Sequence, residues 1–126
     1  MPTSLTRLDS RVEAATGVSI AALHAAEVGA DEATIRIRDA YRALVRAETR
    51  AAFERVRLLI CADRQRRVDD QLLEDLSTQL EVLEDAAAAR DEAERDLLAL
   101  TREHKLVSAA AAAQTDPAVP GVGRAR

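Results

Sequence analysis

The chain has 126 residues, a net charge of −4 and 27 alanines, with one Phe, one Tyr and no Trp. So few aromatic side chains exclude a wide sheet-backed core, and small residues suit helices packed along narrow seams. A single cysteine, Cys61, excludes an intramolecular disulfide, and no stretch reaches the roughly 18 apolar residues of a membrane span.

The expectation is one soluble, cytoplasmic, all-α unit. The N-terminal "MPTSLTRLDS" has no apolar core of signal-peptide length. Seventeen arginines against one lysine read first as a GC-rich, bacterial coding bias and only then as selection for guanidinium chemistry.

In chain order, residues 4–16 place Leu5, Leu8, Val12 and Ala15 at helical spacing, with Gly17 where a left-handed C-terminal cap belongs. Ser19 can cap a second short helix through "IAALHAAEV", ended by Gly29. The alternative keeps both glycines inside one long helix, at about 1 kcal/mol each. Residues 1–30 are therefore short helices or a helix extension.

From Asp31, an N-cap candidate, Ile37, Tyr41, Leu44, Val45, Ala51, Ala52, Leu58 and Leu59 share one broad stripe to about Ala62. A second long segment begins near Arg66 and keeps Val68, Leu72, Leu76, Leu80, Leu83, Ala87, Leu97 and Thr101 on one side to about Ala113. Within it Leu76, Leu83, Arg90, Leu97 and His104 recur every seventh residue, with Leu80, Ala87 and Glu94 beside them. That is a coiled-coil-like seam with polar interruptions, built by Leu76, Leu80, Leu83 and Leu97. Residues 114–126, rich in Pro and Gly, are expected to be a disordered tail.

The turn has to form without the usual punctuation, since no glycine lies between Gly29 and Gly121 and no proline between Pro2 and Pro117. "RVRLLICADRQRRVDD" is where the stripe loses phase: Leu58 to Cys61 cover all sides of a helix, and charge follows. The sequence thus predicts a long antiparallel helical hairpin over residues 31–113, turning near 62–66, with Asp63 as a cap for the second helix. The short N-terminal helices would pack on it as a small bundle. A continuous rod, supported by the Asp63–Arg67 pair at i,i+4, is the rival.

No residue pattern points to catalysis, a cofactor or a metal. Neither His24 nor His104 has a carboxylate three residues before it, and one Cys with two His is too few for a zinc site. Cys61 among aliphatics reads as a small hydrophobe; the alternative is an exposed, reactive thiol beside Arg57 and Arg64.

Charge is segregated instead. Residues 36–67 hold ten arginines against four acids, and residues 69–103 hold twelve acids against three arginines. Arg38, Arg42, Arg46 and Arg50 follow one another at i,i+4, with Phe53 and Arg57 continuing the face, nearly opposite Ile37, Tyr41 and Leu44. These six residues are the candidate partner-binding face. Asp70, Glu74, Glu81, Asp85, Glu92, Asp96 and Glu103 gather opposite the leucine seam.

Three readings follow: solvated faces, recognition of an acidic protein, and self-association of basic on acidic faces as a homo-oligomer, in simplest form a dimer. Nucleic acid is less favoured, given the acidic neighbour and the lack of interleaved aromatics. In outline, residues 31–113 resemble the helical hairpins that serve bacterial secretion machines, including the stalk proteins of flagellar and type III export ATPases. The resemblance is architectural, rests on no motif and carries over no residues. It implies a non-enzymatic assembly or adaptor protein, a component or chaperone of such a machine. The alternative is a small helical regulator that uses the arginine face on nucleic acid.

Overall fold

A computed structural model describes residues 6–25 and 31–114. Over these residues the chain is all-α: α1 (Asp9–Thr16), α2 (Ile20–Ala25), α3 (Glu32–Cys61) and α4 (Asp70–Gln114). The two long helices pack against each other as an antiparallel hairpin, and α1 and α2 lie on one end of it. Leu5, Gly29 and residues 115–126 lie outside the described residues, and so do the expectations placed on them.

The helix ends are set by the residues the sequence offers for them. Gly17 adopts φ 75°, and its N–H donates to the Glu13 carbonyl at 2.9 Å, closing α1 in the left-handed conformation only glycine adopts without strain. Ser19 Oγ accepts from Ala22 N–H at 3.1 Å and starts α2. Asp31 caps α3 through Thr34 N–H at 2.7 Å. These hydrogen bonds, from the Thr34 backbone first and its side chain second, hold the Asp31 carboxyl below the ordinary aspartate range. Helix α1 starts later than residue 4. Thr6 N–H and Oγ1–H both donate to the buried Asp9 carboxylate, a local turn that competes with helix.

The chain does turn between the long helices. Helix α3 ends at Cys61, and the connection runs through residues 62–69, longer than the 62–66 read from sequence. Asp63 does not cap α4. Its carboxylate accepts from Gln65 N–H at 2.8 Å and its carbonyl from Arg66 N–H at 3.0 Å, which closes a separate tight turn. Asp69 caps α4 instead, accepting from Leu72 N–H at 3.0 Å. Val68 therefore lies in the connection, 77% exposed, and not on the seam.

Arg66 holds the turn together. It donates to the Cys61 carbonyl at 3.4 Å and Sγ at 3.7 Å, and to Asp75 of α4 at 2.9 Å. One guanidinium thus joins the end of α3 to the second turn of α4, where Gln71 also donates to Asp75 at 2.8 Å. The Arg66 hydrogen bond, reinforced by Gln71, holds the Asp75 carboxyl below its ordinary range.

The core sits at the open end of the hairpin, the base. Leu8 and Val12 of the α1 segment, Ile20 and Leu23 of α2, Ile37, Tyr41 and Leu44 of α3, and Leu97 of α4 form one buried cluster. Each fully buried aliphatic there contributes roughly 1.5–3 kcal/mol. Arg42 fastens α2 to α3, donating to the His24 carbonyl at 3.0 Å and to Nδ1 at 3.3 Å. The His24 ring meets Tyr41 edge-on at 5.4 Å.

Toward the turn α3 and α4 alone remain among the described residues, and the seam changes character. Leu72 and Ala86 are buried, Leu76 and Leu83 are half-buried, and Gln79 donates to the Glu54 carbonyl at 3.4 Å. The second row of the α4 seam is thus Leu72, Gln79, Ala86, Ala93 and Leu100, not Leu80 and Ala87. Leu80 stands about 100° further round the helix and is 48% exposed. Small alanines in the facing row let the helices approach where a leucine would hold them apart.

Candidate functional site

The half of the hairpin beyond α1 and α2, here the arm, carries the chemistry the sequence pointed to. Arg38 and Arg42 lie outside it. The Arg38 side chain is only 13% exposed, beside Asp39 at 3.1 Å, and Arg42 is committed to His24. The six-residue partner-binding face is therefore divided: its first two arginines lie against the base, and Arg46, Arg50, Phe53 and Arg57 continue as an open surface. Arg46 and Arg50 have no ion-pair partner among the described residues. The acidic residues assigned to the outer side of α4, from Asp70 to Glu103, are all exposed.

Apolar exposure is concentrated on the same arm. Of the ten large hydrophobic residues exposed among the described residues, Phe53, Val56, Leu59, Ile60, Val68, Leu73 and Leu80 belong to it. Phe53, Val56 and Ile60 follow the i, i+3, i+7 spacing of one helix face and are 61%, 51% and 66% exposed. The Arg57 guanidinium lies 5.8 Å from the Phe53 ring centroid, a contact worth roughly 0.5–1 kcal/mol at an exposed site. Leu59, part of the apolar stripe read from sequence, is exposed rather than packed, and Val56 and Ile60 are surface residues that the stripe does not mark. The signal was the four-residue run Leu58 to Cys61, which has more apolar side chains than a two-helix seam can cover.

Each side of the arm has its own cleft. On one, Arg57, Ile60, Cys61, Asp75, Thr78 and Gln79 line a hollow of about 440 Å³. On the other, a cleft of about 780 Å³ opens just before the start of α1, lined by Thr6 and Arg7, by Glu48, Ala51, Ala52 and Arg55 of α3, and by Leu83, Ala87, Arg90, Asp91 and Glu94 of α4. Arg7 pairs there with Glu94, and Arg90 with Asp91 at 3.0 Å. Burial, and next the nearby Glu94, pushes the Glu48 carboxyl above its ordinary range, against the opposing pull of Arg90.

Glu54 is the residue that sequence reasoning missed. It lies in the seam with its side chain 8% exposed, and Arg57 at 3.5 Å is its ion-pair partner across poor hydrogen-bond geometry. Cys61 and His104 are both half-buried; His104 lies beside Ile37 and Leu100 near the base.

Among the described residues no three His, Cys, Asp or Glu side chains converge as a metal site, and no helix is long and apolar enough to cross a membrane. Comparison of the chain with protein-family models, with curated proteins and with solved structures gave no match.

Proposed function

We propose that this chain is a non-enzymatic helical assembly or adaptor protein that recognises an acidic protein through the outer face of α3. The observation that carries the reading is the exposed Phe53, Val56 and Ile60 stripe bordered by Arg46, Arg50 and Arg57. Apolar residues at i, i+3 and i+7 are how a helix presents anchors to a partner groove or helix. A rim of one charge sign steers an oppositely charged partner and rejects others. Two-sided exposure of large apolar groups on a thin arm has little structural use, because the base already holds the core. A role as a component or chaperone of a bacterial secretion-type machine suits the outline of residues 31–113.

The test reverses Arg46 and Arg50 to Glu and uses the variant as bait in lysate of the native cell. The expected outcome is loss of partner capture at physiological salt with an unchanged circular dichroism spectrum. Capture that survives the reversal overturns the reading. So does tight DNA or RNA binding by the wild type that falls steeply with salt.

A further inference from the structure

The arm has a second unpartnered surface, distinct from the outer face of α3. Helices α1 and α2 cover one flank of the hairpin at its base, and the segment leading into α1 reaches the 780 Å³ cleft, where Thr6 and Arg7 are the last described residues over it. Beyond that point no described residue outside α3 and α4 covers the flank toward the turn. Arg55 lines the cleft from α3, and Leu59 follows it one helical turn on; Leu83 and Ala87 line it from α4, with Leu80 three and seven residues before them and Leu73 seven before that. Leu59, Leu73 and Leu80 therefore form one apolar strip, contributed by both helices and 62%, 56% and 48% exposed.

We infer that this flank is a self-association surface and that its occupant is the arm of a second copy of this chain. The charges bordering the strip favour that occupant. The α3 side is marked by Arg55 and the α4 side by Glu84 and Asp91, all three exposed. A uniformly charged partner would be repelled by one side or the other, whereas a second copy brings both signs. When a two-fold axis runs along the hairpin, α3 of each copy faces α4 of the other at the same height. That height is fixed within one chain by Gln79 donating to the Glu54 carbonyl at 3.4 Å and by Cys61 tied through Arg66 to Asp75. Leu59 then meets Leu73 and Leu80 of the partner copy, and Arg55 meets the neighbourhood of Glu84. The interface is isologous, so it closes as a dimer. The inference shares the arm with the adaptor reading but uses different residues.

The experiment is light scattering on the purified chain from about 10 to 200 µM, a range that reveals weak dimers by mass action. Wild type is expected at twice the 13.6 kDa chain mass. The double variant Leu59→Asp, Leu80→Asp is expected at the single-chain mass with unchanged helicity. Leu106→Asp, at an equally exposed position outside the flank, is expected to remain dimeric. A wild type that stays monomeric throughout, or a Leu59→Asp, Leu80→Asp variant that stays dimeric, overturns the inference. The adaptor reading fails separately. Arg46→Glu, Arg50→Glu is expected to remain dimeric while losing its acidic partner, so a monomeric wild type whose partner capture depends on those arginines leaves that reading intact.

Discussion

The base and the arm of this hairpin are built from the same two helices and meet different fates. At the base, Ile37, Tyr41, Leu44 and Leu97 are covered by Leu8, Val12, Ile20 and Leu23 from the short helices, and the result is a closed core. In the arm the seam holds Glu48, Glu54 and Gln79 between small or half-covered apolar residues, while Phe53, Leu59 and Ile60 face outward. A two-helix contact buries one narrow stripe on each helix; a wider apolar stripe stays wet until a third element covers it. The difference is one of coverage rather than of helix quality, and it leaves the arm as the part of the molecule available for recognition.

The largest effect that sharpens this contrast is Leu97→Ala. It should cost about 2–5 kcal/mol in urea unfolding, because its cavity opens inside the four-helix cluster. Val56→Ala on the outer face of the arm, outside the inferred self-association strip, should cost well under about 1 kcal/mol. Equal losses at the two sites would break the distinction.

Replacing Glu54 with Leu should stabilise the protein by about 1 kcal/mol or more, since a carboxylate in a helix seam with one poorly aligned ion-pair partner gives up more hydration than it recovers. Gly17→Ala tests the base from its other side. A Cβ there meets nothing within 4 Å, so the whole cost is the left-handed backbone, about 1 kcal/mol.

The smallest effect is in pH dependence. Glu48 titrates above its ordinary range when folded, so the native state holds that proton more tightly. Its contribution to stability grows as the pH falls into the raised range and is lost as the pH climbs through it. Asp75 and Asp31 titrate below theirs; their contributions are present above the ordinary aspartate pKa and are lost as the pH falls through the lowered values. Thermal melts between pH 7 and pH 3 should therefore show Glu48→Gln more stable than wild type at neutral pH, with the gap closing in acid. Asp75→Asn should start less stable and converge with wild type in acid.

Much of the fold was legible because its signals are local. Gly17, Ser19 and Asp31 act within one turn of themselves, and the phase change at Leu58 to Cys61 marks where α3 ends. The row Leu76, Leu83, Arg90, Leu97 and His104 falls on the half-buried or buried side of α4. What could not be read was the neighbour each face would find. Leu80 and Gln79 are adjacent in sequence, and hydrophobicity favours Leu80; close helix approach along Ala86 and Ala93 favours the row containing Gln79. Arg42 belongs to a regular arginine series, and only the position of α2 shows that it is engaged by His24. Asp63 and Asp69 are equally good caps by composition, and the local turn at Gln65 and Arg66 decides between them.

The most direct test of the arm as a recognition surface is a photo-crosslinking amino acid placed in the native cell at Ile60 or at Leu106, which are 66% and 68% exposed. The account predicts discrete protein adducts from Ile60 that disappear when Arg46 and Arg50 are reversed to Glu, and only background from Leu106. Equal adducts from the two positions, or none from Ile60, would contradict it.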